Sequence, residues 1–125
     1  MAMNDSDAPK TRDELLRRYH EGERYFGGAE LDGANLDLRN VTLEGADFSQ
    51  SFITAEFGGA NLRSVVFANA NVKTCDFSNA DLRDAVFSGA ALDSTSFAGA
   101  NLEGADFDGA YCYGRKLERG EKPWW

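Results

Sequence analysis

The chain has 125 residues and 13.7 kDa, with 21 acidic and 13 basic side chains and a formal net charge of -8, enough for one small domain. The acidic balance excludes an electrostatic footprint for nucleic acid or anionic lipid, and the apolar runs are too short to span a bilayer. Met1-Ala2-Met3-Asn4-Asp5-Ser6-Asp7 lacks the basic flank and apolar stretch of a secretory signal, and two distant cysteines make no disulfide framework, so a cytoplasmic location is expected.

Residues 1–10 predict a disordered N-terminus. Thr11-Arg12-Asp13-Glu14 has capping-box spacing, and Leu15, Leu16 and Tyr19 follow at helical intervals before Gly22. A short helix over 11–22 is therefore expected, its Leu/Tyr face closing the end of whatever follows. Residues 23–117 carry a repeat. Phe26, Leu31 and Leu36 keep a step of five, Leu36 to Leu43 spans seven, and Phe48 to Phe57 falls one short of ten. The extra residues predict an outward bulge at Leu38-Arg39-Asn40, after which Phe26 and Phe48 join the column of Phe67. The frame leaves open which of Phe52 and Ile53 points inward.

From Phe57 the step of five is unbroken. The large residues are Phe57, Leu62, Phe67, Val72, Phe77, Leu82, Phe87, Leu92, Phe97, Leu102 and Phe107, with Cys112 last in the series. Two positions before each is a small or short residue, such as Ala60, Val65, Cys75 or Thr95, and between them usually a polar one. A period of five fits neither a helix nor a plain strand. It fits a chain that runs small-in, polar-out, large-in and then turns a corner, at which Gly and Asn tolerate positive φ. Four corners make a square coil of twenty residues, and a spacing of twenty sorts the series into columns: Phe57, Phe77, Phe97; Leu62, Leu82, Leu102; Phe67, Phe87, Phe107; Val72, Leu92, Cys112. Without Cys112 and with Phe26 and Phe48 added, these side chains are the expected interior stack. About four and a half coils result, about 22 Å tall at the spacing of paired strands.

Residues 118–125 leave the repeat as a C-terminal tail or cap, and the sequence supports equally a floppy end and one whose Pro123-Trp124-Trp125 covers the last coil.

The units Ala60-Asn61-Leu62, Ala80-Asp81-Leu82 and Ala105-Asp106-Phe107 resemble the pentapeptide repeat family over residues 24 to 117. The resemblance implies an all-β solenoid of the right-handed quadrilateral β-helix type, here with a short N-terminal capping helix. Departures are the two frame changes, the residues Val65, Cys75 and Thr95 where Ala is usual, and Cys112 at a large position.

An interior filled by Phe, Leu and Ala leaves no room for substrate, His20 is a lone histidine without an orienting neighbour, and no residues have metal-ligand spacing. No enzyme activity, cofactor or metal is expected. Cys75 and Cys112 fall on inward positions 37 residues apart, nearly two coils, too far for a disulfide. Recognition must then lie outside. Glu44, Arg63, Arg83 and Glu103 form a charged column that reads as a solvated ladder. Val66, Ala68, Val86 and Ser88 form an uncharged strip between Asp47 and Asp106, and Tyr111, Tyr113, Trp124 and Trp125 an aromatic end. These eight residues are the candidate interaction surface.

The function expected is a non-catalytic structural or protein-interaction module, its protein partner unknown, monomeric or weakly homodimeric, without nucleic acid or membrane as partner. The alternative implied by the resemblance is a DNA-mimic-like regulator of a type II topoisomerase such as gyrase. Residues 23–117 hold 14 acidic and 7 basic side chains, a net charge too sparse for duplex-like density over about 22 Å and four faces.

Overall fold

The computed structural model describes residues 7–123, the side chains of 33–35 excepted. Its elements in chain order are α1 (Arg12–His20), β1 (Glu30–Asp37), β2 (Phe52–Glu56), β3 (Tyr111–Cys112) and β4 (Arg115–Lys116). β1 pairs parallel with β2, and β3 antiparallel with β4. Between β2 and β3 the chain is a series of short bridges separated by tight turns, because each straight run lasts only three residues. Bridges Asn61↔Asp81↔Asn101, Val66↔Val86↔Asp106, Asn71↔Ala91↔Tyr111 and Glu56↔Asp76↔Ser96 are all parallel, so residues twenty apart lie one above another.

The hydrogen bonds explain the period. After each large residue the chain makes a β-turn closed by a bond such as Ala60 N–H to Phe57 O, 3.0 Å. The third residue of the turn has positive φ, as at Gly59 (68°), Asn69 (57°) and Asn79 (60°), which is the demand of a type II turn. The bond from the large residue itself goes to the neighbouring coil, as in Phe57 N–H to Asp76 O, 2.7 Å. Every corner thus turns the chain and re-aims the next small residue inward.

The interior consists of stacked side chains. Phe57, Phe77 and Phe97 lie 5.2 Å apart between successive rings and tilt by only 3° and 8°. On the other Phe column Phe87 and Phe107 are 4.9 Å apart at 4°. The two columns meet across the interior edge to face, as at Phe77 and Phe87, 5.5 Å and 84°, which is the alternative favourable geometry for aromatic quadrupoles. Of the thirteen interior residues named from the sequence, twelve are buried, while Leu102 is only partly buried. It lies near the C-terminal end of the stack, beside half-buried Ala100 and Ala105.

Upstream the structure corrects the frame. Leu38 is fully buried and Leu36 only partly so. Leu38 N–H donates to Glu56 O as Phe57 N–H does to Asp76 O, so Leu38, not Leu36, heads the Phe57 column. The expected bulge at Leu38-Arg39-Asn40 is therefore misplaced: the register breaks earlier, between Leu31 and Leu36. A large apolar side chain wins the inward position, and the extra residues loop out before it. Ile53 is inward and Phe52 is outward, 45% exposed. Phe26 and Phe48 stack in the column of Phe67, at 5.5 and 5.4 Å.

At the N-terminal end, Thr11 caps α1 by accepting from Glu14 N–H at 3.1 Å, while the Glu14 carboxylate accepts from Lys10 N–H, not from Thr11 as a closed box requires. Leu15 is fully buried in the core cluster, with Leu16 and Tyr19 packed against it. Residues 1–6 of the terminus expected to be disordered lie outside the described residues, but Ala8 and Pro9 are buried. Arg18 explains why: its guanidinium donates to Asp7 O at 2.6 Å and pairs with Glu14 and Glu23 at 3.2 and 2.9 Å, holding the segment down.

The C-terminal end folds back. Tyr113 and Gly114, both at positive φ, make the two-residue turn between β3 and β4. Leu117 is then buried, bonded N–H to Ala110 O and accepting from Gly109 N–H. Gly120 N–H reaches the Asp108 carboxylate and Lys122 reaches Leu102 O.

Candidate interaction surface

Because each large residue points in, its two chain neighbours point out, and the coil-to-coil bridges align these neighbours into columns. On the face behind Phe26, Phe48, Phe67, Phe87 and Phe107 one column runs Tyr25, Asp47, Val66, Val86, Asp106, every step a parallel bridge. The companion column carries Gly27, Ser49, Ala68, Ser88 and Asp108. Val66, Ala68, Val86 and Ser88 are all half-buried, so the strip is flat and low. Asp47 and Asp106 spend one carboxylate oxygen each on the backbone, accepting from Ser49 N–H and Asp108 N–H, both at 2.8 Å.

Round the corner an aromatic-ended series follows, beside a companion column that carries Lys73 and Asp93. The next face presents the bridged series Phe52, Asn71, Ala91, Tyr111. Phe52 is 45% and Tyr111 47% exposed, and Tyr113, 69% exposed, sits beside them with its hydroxyl accepting from Ser94 N–H. Phe52 was invisible as a surface residue because the frame shift left its direction undecided. Tyr25 was overlooked as well, although its place one residue before Phe26 marks it as the outward neighbour. Trp124 and Trp125, the rest of the expected aromatic end, lie outside the described residues.

The charged column on the Leu62 face is looser than its sequence suggests. Arg83 forms a bidentate pair with Asp81 on its own turn, 2.9 and 2.6 Å, which holds the Asp81 carboxyl below its usual range. Arg63 lies 3.8 Å from Glu44. A shallow groove of about 220 Å³ is lined by Arg63, Arg83, Asp84 and Glu103, and another of about 210 Å³ by Leu36, Thr54, Ala55, Glu56 and Thr74. Both are smaller than usual ligand pockets. Among the described residues no group of three His, Cys, Asp or Glu is placed to hold a metal ion, and no helix is long and apolar enough to cross a membrane.

The thiols are buried and free. Burial pushes Cys75 up to about 12, and its Sγ donates to Ile53 O at 3.2 Å. Cys112 is raised by burial too. Neither is poised as a nucleophile, which requires a thiolate. His20 stands exposed in the last turn of α1.

A family model described as a pentapeptide repeat region matches residues 34–107, more than half of the chain. The chain belongs to the pentapeptide repeat family. Members of this family fold as right-handed quadrilateral β-helices and are in general non-enzymatic. A pentapeptide repeat protein of solved structure from Nostoc PCC 7120, alr5209, is 36% identical, with 90% of this chain and 89% of that one covered and a TM-score of 0.42. HetL, a pentapeptide repeat protein involved in heterocyst differentiation regulation in the same cyanobacterium, is 21% identical over 74% of this chain and 49% of its own, with a TM-score of 0.43. Rfr23 from Cyanothece 51142 is 29% identical over 65% of this chain and 58% of its own, with a TM-score of 0.31. No curated protein sequence matches the chain.

Proposed function

We propose that this pentapeptide repeat protein is a non-catalytic, cytoplasmic protein-interaction module: a rigid rod of about four and a half coils that displays its faces to a protein partner. The observation that carries this reading is the uncharged strip of Val66, Ala68, Val86 and Ser88, on a chain whose net charge is -8. Flat sheet surfaces ordinarily carry charges that block association, and their omission here supports a covered surface. Acidic residues elsewhere are interrupted by Arg39, Arg63 and Arg83, which favours a protein partner over mimicry of a DNA duplex.

In this reading both ends are closed, so that the rod presents its sides. Asp37 O and Glu44 O face the end where no earlier coil can supply an N–H. They accept instead from Arg12 Nε at 2.6 Å and from the Tyr19 hydroxyl at 2.7 Å. α1 thus serves as a cap by burying Leu15 and by satisfying these edge carbonyls.

The test is affinity capture from the source cell's lysate with wild type and with Val66→Glu combined with Val86→Lys. Outward positions tolerate polar residues, so the melting temperature should stay within a few degrees, and the captured proteins should be lost. An identical captured set for both would remove the strip from the function.

A further inference from the structure

The strip is bounded along its own column. Asp47 precedes Val66 and Asp106 follows Val86, each one bridge away. The column therefore reads acid, apolar, apolar, acid over three coil steps, about 14 Å at the spacing of paired strands. The ends bear on what can cover the centre.

A second copy is a poor occupant. Two identical strips packed face to face are related by a two-fold axis lying in the contact plane. With the axis along the column, each Asp47 opposes its own counterpart and each Asp106 likewise. With the axis across the column, Asp47 opposes the counterpart of Asp106. Either way acid meets acid at both ends of the apolar contact, and like charges across an interface are penalised. Nor does another face of the chain fit. The column Glu44, Arg63, Arg83, Glu103 has its basic residues at the centre and its acids at the ends, the reverse of what the strip needs. Among the described residues no outward column has basic ends around an apolar centre.

Resting on the protein-interaction reading above, we infer that the Val66/Val86 strip docks a different protein, whose contact surface has an apolar centre and Lys or Arg at two ends about 14 Å apart, set against Asp47 and Asp106. Charge complementarity then fixes the register of the partner along the rod, while the valines supply the desolvated centre. Asp47 and Asp106 can both serve, since each has its second carboxylate oxygen in addition to the one bonded to the turn.

The experiment is an NMR titration of the full isotope-labelled chain with two synthetic helical peptides, alike in a leucine-alanine centre and differing only in lysine or glutamate at both ends. The lysine-ended peptide should shift the amide signals of Val66, Ala68, Val86 and Ser88, weaken with added salt, and bind at least tenfold more tightly than the glutamate-ended one. Asp47→Asn with Asp106→Asn keeps the turn acceptors and should cost the lysine-ended peptide about fivefold or more in affinity, with the remaining spectrum unchanged. Equal binding of both peptides, no binding of the lysine-ended one, or shifts confined to Glu44 and Glu103 would overturn the inference. Sedimentation separates this failure from that of the underlying reading. A wild type that dimerises through the strip, reverting to monomer in Val66→Glu with Val86→Lys, would overturn a non-self partner while leaving protein interaction standing.

Discussion

Two stretches of this rod solve the same packing problem with different regularity. From Phe57 to Cys112 every large residue follows the last by five, and every bridge joins residues twenty apart. Upstream the coil that joins Phe26 to Phe48 holds 22 residues, and the one from Leu38 to Phe57 holds 19. The rings record the difference. Phe57 and Phe77 stack at 5.2 Å, as do Phe67 and Phe87, whereas Phe26 and Phe48 stand 5.5 Å apart and Phe48 and Phe67 5.4 Å. Tilt does not follow the same line, being 24° between Phe67 and Phe87 and 26° between Phe26 and Phe48. The lesson is that the stack, not the count, is the invariant. Insertions are expelled at one side and a deletion is absorbed at one corner, as long as each column keeps a large side chain inward. Burial of a Leu or Phe is worth about 2 kcal/mol or more, while lengthening a loop by two residues costs only a few tenths.

The sharpest test of that contrast removes one ring from each stretch. Phe77 is held between Phe57 and Phe97 and met edge-on by Phe67 and Phe87. Phe77→Ala should cost about 3–5 kcal/mol, because coils fixed above and below cannot collapse into the gap. Among the described residues Phe26 has a ring partner on one side only, Phe48, with the Arg18 guanidinium 6.0 Å from its face. Phe26→Ala should cost about half as much, since the N-terminal segment can settle inward. Denaturant melts of the two variants measure the difference, and equal losses would mean that the irregular end is packed as rigidly as the middle.

What the sequence disclosed follows the same line. Period and column sorting are properties of side-chain type, so the interior from Phe57 to Phe107 could be read directly. The displaced Leu36 and inward Leu38 could not, because two apolar residues two apart satisfy the frame equally and only packing chooses between them. The surface was legible where the frame was: Val66 and Val86 were placed outward, while Phe52 waited on the structure. The corners were half legible. Gly and Asn announced seven of them, but Ser64, Thr74, Asp84 and Ser94 also take positive φ, held there by coils on either side.

A smaller effect separates corners that look alike. Gly99 and Gly45 both have positive φ, at 72° and 75°. A methyl group at Gly99 would overlap the Asn79 side-chain oxygen of the neighbouring coil, whereas at Gly45 it would meet nothing within 4 Å among the described residues. Gly45→Ala should therefore cost about 1 kcal/mol, the backbone term alone, and Gly99→Ala about 2 kcal/mol. Changing Asn79 to Gly in the Gly99→Ala background should recover the excess, a coupling that a double-mutant cycle of thermal melts can measure. Without such coupling, Asn and Gly would alternate along this corner by chance and not because one fills the space the other leaves.

The smallest effect runs the other way. Thr74 holds φ at 64°, a left-handed conformation that a β-branched residue rarely adopts. Its hydroxyl donates to Lys73 O at 2.6 Å, a bond to an exposed residue next in the chain that water can replace. The corner exists because Val72 and Cys75 on either side are both drawn inward, and Cys75 N–H closes the turn on Val72 O at 3.1 Å. Thr74 therefore sits in a conformation imposed by its neighbours. Thr74→Gly removes the clash of its Cβ with the turn but frees the unfolded chain, and these effects oppose each other. The steric term for a left-handed non-glycine residue is about 1–2 kcal/mol, and the added freedom of glycine costs about 0.5–1 kcal/mol. A net gain of up to about 1 kcal/mol is expected, read as a rise of a few degrees in melting temperature. The equivalent change at Asn79 should gain less, because asparagine tolerates the left-handed region. If Thr74→Gly lowers the melting temperature, the regular stretch stabilises its corners by side-chain contacts that outweigh backbone preference, and the contrast between its rigid stack and its strained corners fails.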